Sequence, residues 1–242
     1  MIIKNNTIIH LTHSCNLIKI YEKVLIFDYP EVATNLLEEI VGIDNLVEED
    51  VYVFVSHTHL DHYNKEIFKW KNRIKKISYI ISSDVDNVPS AAHIIKENEK
   101  IRVNDLMIST YPSSDQGVAF SIYIKDKHIY YGGDNAFWNF DGDISEDDYV
   151  DKFLSPIDRS VPIDFAFQPC DPRLDGNGEG GIKAFAFNLT PEILIPLHLF
   201  DKFDFLQKIE LALHNFQGYF WPIKKRGDIL DFADSKSIYY NF

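Results

Sequence analysis

Residues 51–63 read Val51-Tyr52-Val53-Phe54-Val55-Ser56-His57-Thr58-His59-Leu60-Asp61-His62-Tyr63, an apolar run that ends in His-x-His-x-Asp-His. The β-branched and aromatic run predicts a buried strand. A strand end that feeds a polar loop is a place where a rigid scaffold can aim ligands at a metal. His57 and His59 are two apart, so in extended chain they point to the same side, and a turn at Asp61-His62 presents a second pair nearby. That arrangement suits two adjacent metal ions better than one. Imidazole nitrogen mixed with carboxylate oxygen fits zinc, manganese or iron and does not fit a calcium or magnesium cage. One histidine at a strand end is usually an ordinary loop residue, whereas three with an aspartate behind a strand carry a specific signal.

The motif resembles the second motif of the metallo-β-lactamase-fold hydrolase superfamily, and four further segments continue the resemblance. Val24-Leu25-Ile26-Phe27-Asp28 is similar to the early strand that ends in a structural aspartate. Ile129-Tyr130-Tyr131-Gly132-Gly133-Asp134 is similar to the strand whose terminal Gly-Asp supplies a bridging carboxylate, and Ile193-Leu194-Ile195-Pro196-Leu197-His198 to the strand carrying the last histidine. His10-Leu11-Thr12-His13-Ser14 is similar to the start of the branch that includes L-ascorbate-6-phosphate lactonase. Together these segments span residues 13–198. The resemblance implies a first metal site with His57 and His59 and a second with Asp61, His62, Asp134 and His198. It also turns His13 towards the site.

One ligand expected from the resemblance is missing. Relatives carry a further histidine in a loop between the first motif and the Gly-Asp strand, and here that loop reads Tyr111-Pro112-Ser113-Ser114-Asp115-Gln116-Gly117. His93 sits in a helical-looking polar stretch and His128 in a Lys125-Asp126-Lys127-His128 hairpin turn, so neither fills the position. Asp115, or the hydroxyls of Ser113 and Ser114, are the expected replacements. Such a loop resembles a subgroup of the superfamily that lacks this histidine.

The order of elements supports the same fold independently. Strand-like runs at 7–11, 17–20, 24–27, 51–55, 77–81, 106–110, 118–124, 129–131 and 163–167 mix with helix-like stretches at 34–41, 65–71, 146–153 and 203–214, and a helix is expected from Ile182. This predicts an α/β, four-layer αββα sandwich in which each half contributes to one site. A chain of 242 residues with no linker is expected to form a single domain over 1–242. Its 45% hydrophobic content excludes disorder. No apolar run reaches membrane-spanning length and no leader pattern opens the chain, so a cytoplasmic protein is expected. Cys15 and Cys170 read as buried thiols. With 37 acidic against 24 basic residues the net charge is −13, which disfavours polyanions such as nucleic acid. The basic run Lys69–Lys76 reads as a solvated helix face.

The chemistry follows from the ligand set. A divalent ion lowers the pKa of bound water until a hydroxide nucleophile exists at neutral pH, and it polarises a carbonyl or phosphoryl oxygen. Asp134 is the natural bridging carboxylate, and Asp61 could bind metal and hold the nucleophile in line, so these two are the expected catalytic residues. Hydrolysis of a lactone, ester, amide or phosphodiester is equally available to such a centre. Arg173, in the loop Phe167-Gln168-Pro169-Cys170-Asp171-Pro172-Arg173, could clamp an anionic group, with Asp171 beside it and the Gly-rich segment Asp175–Gly181 adding backbone N–H donors. The alternative is an internal Asp171–Arg173 ion pair. Trp138 and Tyr63 could wall the pocket or belong to the core. The expected function is hydrolysis of a small anionic metabolite with one or two divalent ions. A non-catalytic metal-binding or sensor protein and a di-iron redox protein of the same fold are the alternatives.

Overall fold

The computed structural model describes residues 3–33, 35–139, 144–174 and 177–232. Among them the strands are β1 Thr7–Thr12, β2 Cys15–Ile20, β3 Lys23–Phe27, β4 Asp50–Val55, β5 Lys76–Ser82, β6 His93–Ile95 and β7 Lys100–Val103. They continue as β8 Leu106–Pro112, β9 Val118–Ile124, β10 Lys127–Tyr131, β11 Phe165–Pro169, β12 Ile193–Leu197, β13 Tyr219–Phe220 and β14 Asp228–Asp231. The chain divides into two compact units, one holding β1–β6 and β14, the other β7–β13.

In the first unit the sheet order is β14-β1-β2-β3-β4-β5-β6. The pairs from β14 to β3 are antiparallel, and those from β3 to β6 are parallel. The second unit repeats this plan in the order β13-β12-β11-β10-β9-β8-β7, with β7 to β10 antiparallel and β10 to β13 parallel. Strands paired in parallel must carry cover on both faces, which is why β3, β4, β11 and β12 read as nearly unbroken apolar runs. On one face of the first sheet Val24, Ile26, Val51, Val53, Val55 and Ile81 join Ile67 and Trp70 in a continuous core. On the other, Phe27 and Phe54 are fully buried and stack with ring centroids 5.1 Å apart. Burying each such ring is worth about 1.5–3 kcal/mol.

The helices cover these faces. In the first unit α1 is Leu36–Ile40 and buries Leu36 and Leu37. A 3-10 stretch, Lys65–Asn72, starts where the Asn64 side chain accepts from the Glu66 N–H. In the second unit α2, Glu146–Tyr149, opens with a capping box between Ser145 and Asp148 and runs directly into a π-turn, Val150–Leu154. There α3, Asn177–Leu189, packs on β11 and on α4, Leu206–Ala212. No helix among the described residues is long and apolar enough to cross a membrane.

Several local expectations change. The segment around His93 is not helical: His93–Ile95 pairs in parallel with Ile80–Ser82, a tertiary pairing that overrides weak local propensity. The 65–71 stretch is a 3-10 run rather than an α-helix. The expected helix at 34–41 shortens to Leu36–Ile40, with Thr34 outside the described residues. The helix expected from Ile182 begins at Asn177, so the glycines lie within its first turns instead of forming a separate loop. Gly178 is required there because a Cβ would sit 2.3 Å from the Asp171 carbonyl oxygen. Asp175 and Gly176 lie outside the described residues.

His128 also moves from the expected turn into β10, where it is fully buried. Its Nδ1 lies 3.1 Å from the Val161 carbonyl oxygen and its Nε2 2.9 Å from Ser121 Oγ. A carbonyl only accepts, so Nδ1 carries the proton, and Nε2 accepts from the Ser121 hydroxyl. Burial lowers the pKa of this ring and outweighs the hydrogen bond from Nδ1–H to Val161 and the nearby Asp164, which raise it. The unfolded chain therefore binds a proton at a higher pH than the fold does, and stability falls as pH drops below about 6.5. The urea midpoint should fall less steeply between about pH 7 and 5.5 in His128→Gln than in the unmodified protein. Parallel slopes would place the titrating group elsewhere.

Candidate metal centre

Within each unit most candidate donors lie beyond the carboxyl ends of the parallel strands, the position where open α/β sheets place ligands, while His13 and Asp115 lie in turns between antiparallel strands. In the first unit Asp28 follows β3, and Ser56 to His62 follow β4. Asp28 is fully buried and accepts three hydrogen bonds: from the Ser56 N–H at 2.7 Å, from Ser56 Oγ at 2.5 Å and from His62 Nδ1 at 2.7 Å. Ser56 has one hydroxyl proton. With that proton given to Asp28, its oxygen accepts from His57 Nδ1 at 2.9 Å. One carboxylate thus fixes two imidazole tautomers, leaving Nε2 of His57 and of His62 as the basic nitrogens.

His57 Nε2 stands 3.1 Å from His59 Nδ1, and the rings of His57 and His62 lie 4.1 Å apart between centroids. His13, at the β1–β2 turn, places Nε2 3.3 Å from Asp61 Oδ2 and its ring edge-on to His62 at 5.6 Å. Donor atoms of His13, Asp61 and His62 lie within 4.8 Å of one another. Asp61 is partly exposed while His57 and His62 are fully buried, so the carboxylate is the solvent-facing member of the group.

In the second unit Gly133, with φ of 56°, turns the chain out of β10 and presents Asp134. Asp134 Oδ1 lies 3.3 Å from Nε2 of His198, which follows β12. A carboxylate oxygen of Asp115 lies within 4.8 Å of one of Asp134. Ser114 Oγ lies 2.6 Å from the carbonyl oxygen of Ala136, which engages its hydroxyl proton, so of the expected replacements Asp115 is the side chain beside a candidate ligand.

Arg173 and Asp171 are not placed as an anion clamp. The guanidinium bonds Asp171 through Nε at 2.9 and 3.0 Å and through Nη2 at 2.6 Å, and it lies 4.1 Å over the Phe200 ring. The ion-pair alternative is what forms, because Asp171 is fully buried and has to be charge-compensated. Asp171 Oδ2 also lies 3.0 Å from His198 Nδ1. Burial pushes the Asp171 carboxyl up, but hydrogen bonds from His198 and Arg173 outweigh it and hold the pKa at about 2. A charged Asp171 at this distance favours the proton on Nδ1 of His198 and leaves Nε2 towards Asp134. Asp171 is thus a positioning residue that sequence reasoning misplaced, since only the fold sets β11 beside β12.

Cys170, His10 and Tyr63 lie apart from these donors. Cys170 is buried beside Leu197, and burial, with Asp171 adding to it, pushes its thiol up, so it stays a thiol. His10 bonds Asn16 in the core. Tyr63 packs against the first core with Phe68. His13, Asp28 and His198 share a left-handed backbone, with φ of 46°, 44° and 64°.

Imidazole nitrogens held in fixed tautomers beside carboxylates are the donor set of zinc, manganese or iron, so the residues present fit such an ion. No family model matches the chain, and no curated protein matches it. Solved structures do. The metallo-β-lactamase fold protein YhfI from Bacillus subtilis aligns with a TM-score of 0.65 at 15% identity, over 93% of this chain and 98% of that one. Igni18, a metallo hydrolase from Ignicoccus hospitalis, aligns at 0.63 and 17%, over 93% and 97%. CmlA, a diiron β-hydroxylase from Streptomyces venezuelae, aligns at 0.62 and 10% over 95% of this chain, which spans about half of CmlA, 55%. The chain has the metallo-β-lactamase fold, as the order of its histidine and aspartate motifs led one to expect.

Proposed function

We propose that this protein is a metal-dependent hydrolase of a small metabolite, with candidate donors His57, His59, Asp61 and His62 within the first unit and Asp134, His198 and Asp115 within the second. The observation that carries the reading is the pair of imidazole nitrogens, His57 Nε2 and His59 Nδ1, 3.1 Å apart. The Asp28–Ser56 chain commits the first of them as a basic nitrogen, which takes either a proton from His59 Nδ1 or, with it, a cation. A bound zinc, manganese or iron ion would supply Lewis acidity and an activated water there. Asp61, partly exposed and backed by His13, is the carboxylate placed to accept a proton at Oδ, and within the second unit buried Asp134 faces His198. Lys69, Arg73, Lys75 and Lys76 are each ion-paired with Glu66, Glu38 and Asp44, Glu48 and Asp50 respectively, which supports a small molecule over nucleic acid as substrate.

The test combines elemental analysis with a panel of lactones, thioesters and phosphodiesters. The protein should retain a transition metal and turn over at least one class, and His57→Ala with His59→Ala should lower metal affinity by about tenfold or more. Retained metal with no turnover would favour a binding or sensor protein. Redox-active iron would favour the di-iron use of the fold. A protein that takes up no metal sinks both the hydrolase and the sensor reading.

A further inference from the structure

The second unit contains a cavity of about 370 Å³, within the roughly 300–1,000 Å³ range of small-molecule sites. Phe137, Trp138, Tyr149 and Phe153 wall it, and Ser114 and Lys152 add polar atoms. Two of these residues sit against the backbone of a candidate ligand. Trp138 Nε1 donates to the Asp134 carbonyl at 2.9 Å, and Ser114 Oγ lies 3.3 Å from the same oxygen. The Trp138 ring also stands edge-on to His198, 5.6 Å away. The walls of the cavity therefore begin where the second unit's donors end.

Its two charged lining groups are not equivalent. The Asp148 carboxylate accepts from Ser145 Oγ at 2.6 Å and from the Ser145 N–H at 3.3 Å in the capping box of α2. Lys152 is exposed, its ammonium 5.1 Å from the Phe153 ring centroid, and it makes no salt bridge to a carboxylate among the described residues. Both Lys152 and Phe153 belong to the π-turn, whose wide spacing is shown by the Ser155 N–H on the Val150 carbonyl at 2.8 Å. Such turns interrupt helix regularity and recur at functional sites. Here the turn sets a cation and an aromatic ring side by side on one wall.

We propose that this cavity binds the body of the substrate, an organic anion built on an aromatic ring, with the ring among Trp138, Phe137 and Phe153 and the anionic group at Lys152. That the bound molecule is hydrolysed beside Asp134 rests on the hydrolase reading; the ligand class does not. Aromatic walls favour flat rings through offset and edge contacts, and an unpaired cation selects the anion in a protein whose overall charge of −13 repels it.

Calorimetric titration of the full-length protein tests the ligand class without any turnover. The probes are 3-phenylpropanoate, 3-phenylpropan-1-ol and propanoate. The first should bind about tenfold tighter than either of the others, and exposed Lys152→Gln should reduce its affinity to near that of the alcohol. Propanoate bound as tightly as 3-phenylpropanoate, or unchanged affinity in Lys152→Gln, overturns the proposal. Binding with no hydrolysis of any ester of this acid leaves the pocket standing and counts against the hydrolase reading alone. Hydrolysis of small esters without the binding preference does the reverse.

Discussion

Asp28→Ala should lower stability by about 3–5 kcal/mol and weaken metal binding by about 10–100-fold. The carboxylate is buried and accepts from the Ser56 N–H, the Ser56 hydroxyl and His62, so its loss strands three donors away from water. Asp28→Asn separates the two effects. Its oxygen can still take the Ser56 N–H, but its amide then faces His62 Nδ1 with a donor, and the ring has to present Nδ1 as acceptor and carry its proton on Nε2. Asparagine should therefore preserve more of the stability than alanine while losing metal affinity to a similar degree. Urea unfolding with and without zinc, together with zinc titration, measures both. An Asp28→Asn protein that binds zinc as the unmodified chain does would refute the tautomer argument.

In the second unit, Asp171→Ala should cost about 2–3 kcal/mol and reduce zinc affinity or turnover by about 10–100-fold. The stability loss stays below that of a fully buried pair because the Arg173 side chain is 51% exposed and regains water. Arg173→Ala should cost less, about 1–2 kcal/mol, since buried Asp171 loses the guanidinium that compensates its charge but keeps the backbone N–H of residue 173. The ranking separates this role from an anion clamp. A positioning network makes Asp171 the sensitive residue and lowers turnover of charged and neutral substrates alike. A clamp would make Arg173 the sensitive one and raise KM for anions only.

Much of this was legible in the chain. Val51 to Val55 and Ile193 to Leu197 announce buried strands by composition, and the donors that follow them sit at strand ends because parallel sheets need both faces apolar and leave chemistry to the loops. What could not be read was pairing across long sequence separations. Asp171 meets His198, 27 positions on, only because β11 and β12 are neighbours. Ser56 has no signal of its own, since a serine after a strand is commonplace until Asp28 is seen beneath it. The edge strand Lys100–Val103 did carry a signal, alternating Lys100 and Arg102 outward with Val103 inward. His93–Ile95 carried none, being three residues held by a neighbour. The cavity wall depends on a π-turn, for which helical periodicity offers no warning.

The left-handed backbone shared by His13, Asp28 and His198 sets thermostability against chemistry at these positions. Each such residue costs on the order of 1–2 kcal/mol relative to an unstrained conformation, and glycine would relieve it. A search for hardier variants of this protein would therefore be drawn first to these three positions, and every success there would erase a donor or the group that orients one. Engineering for robustness has its free ground instead in the antiparallel halves of the two sheets, away from the turns that carry His13 and Asp115.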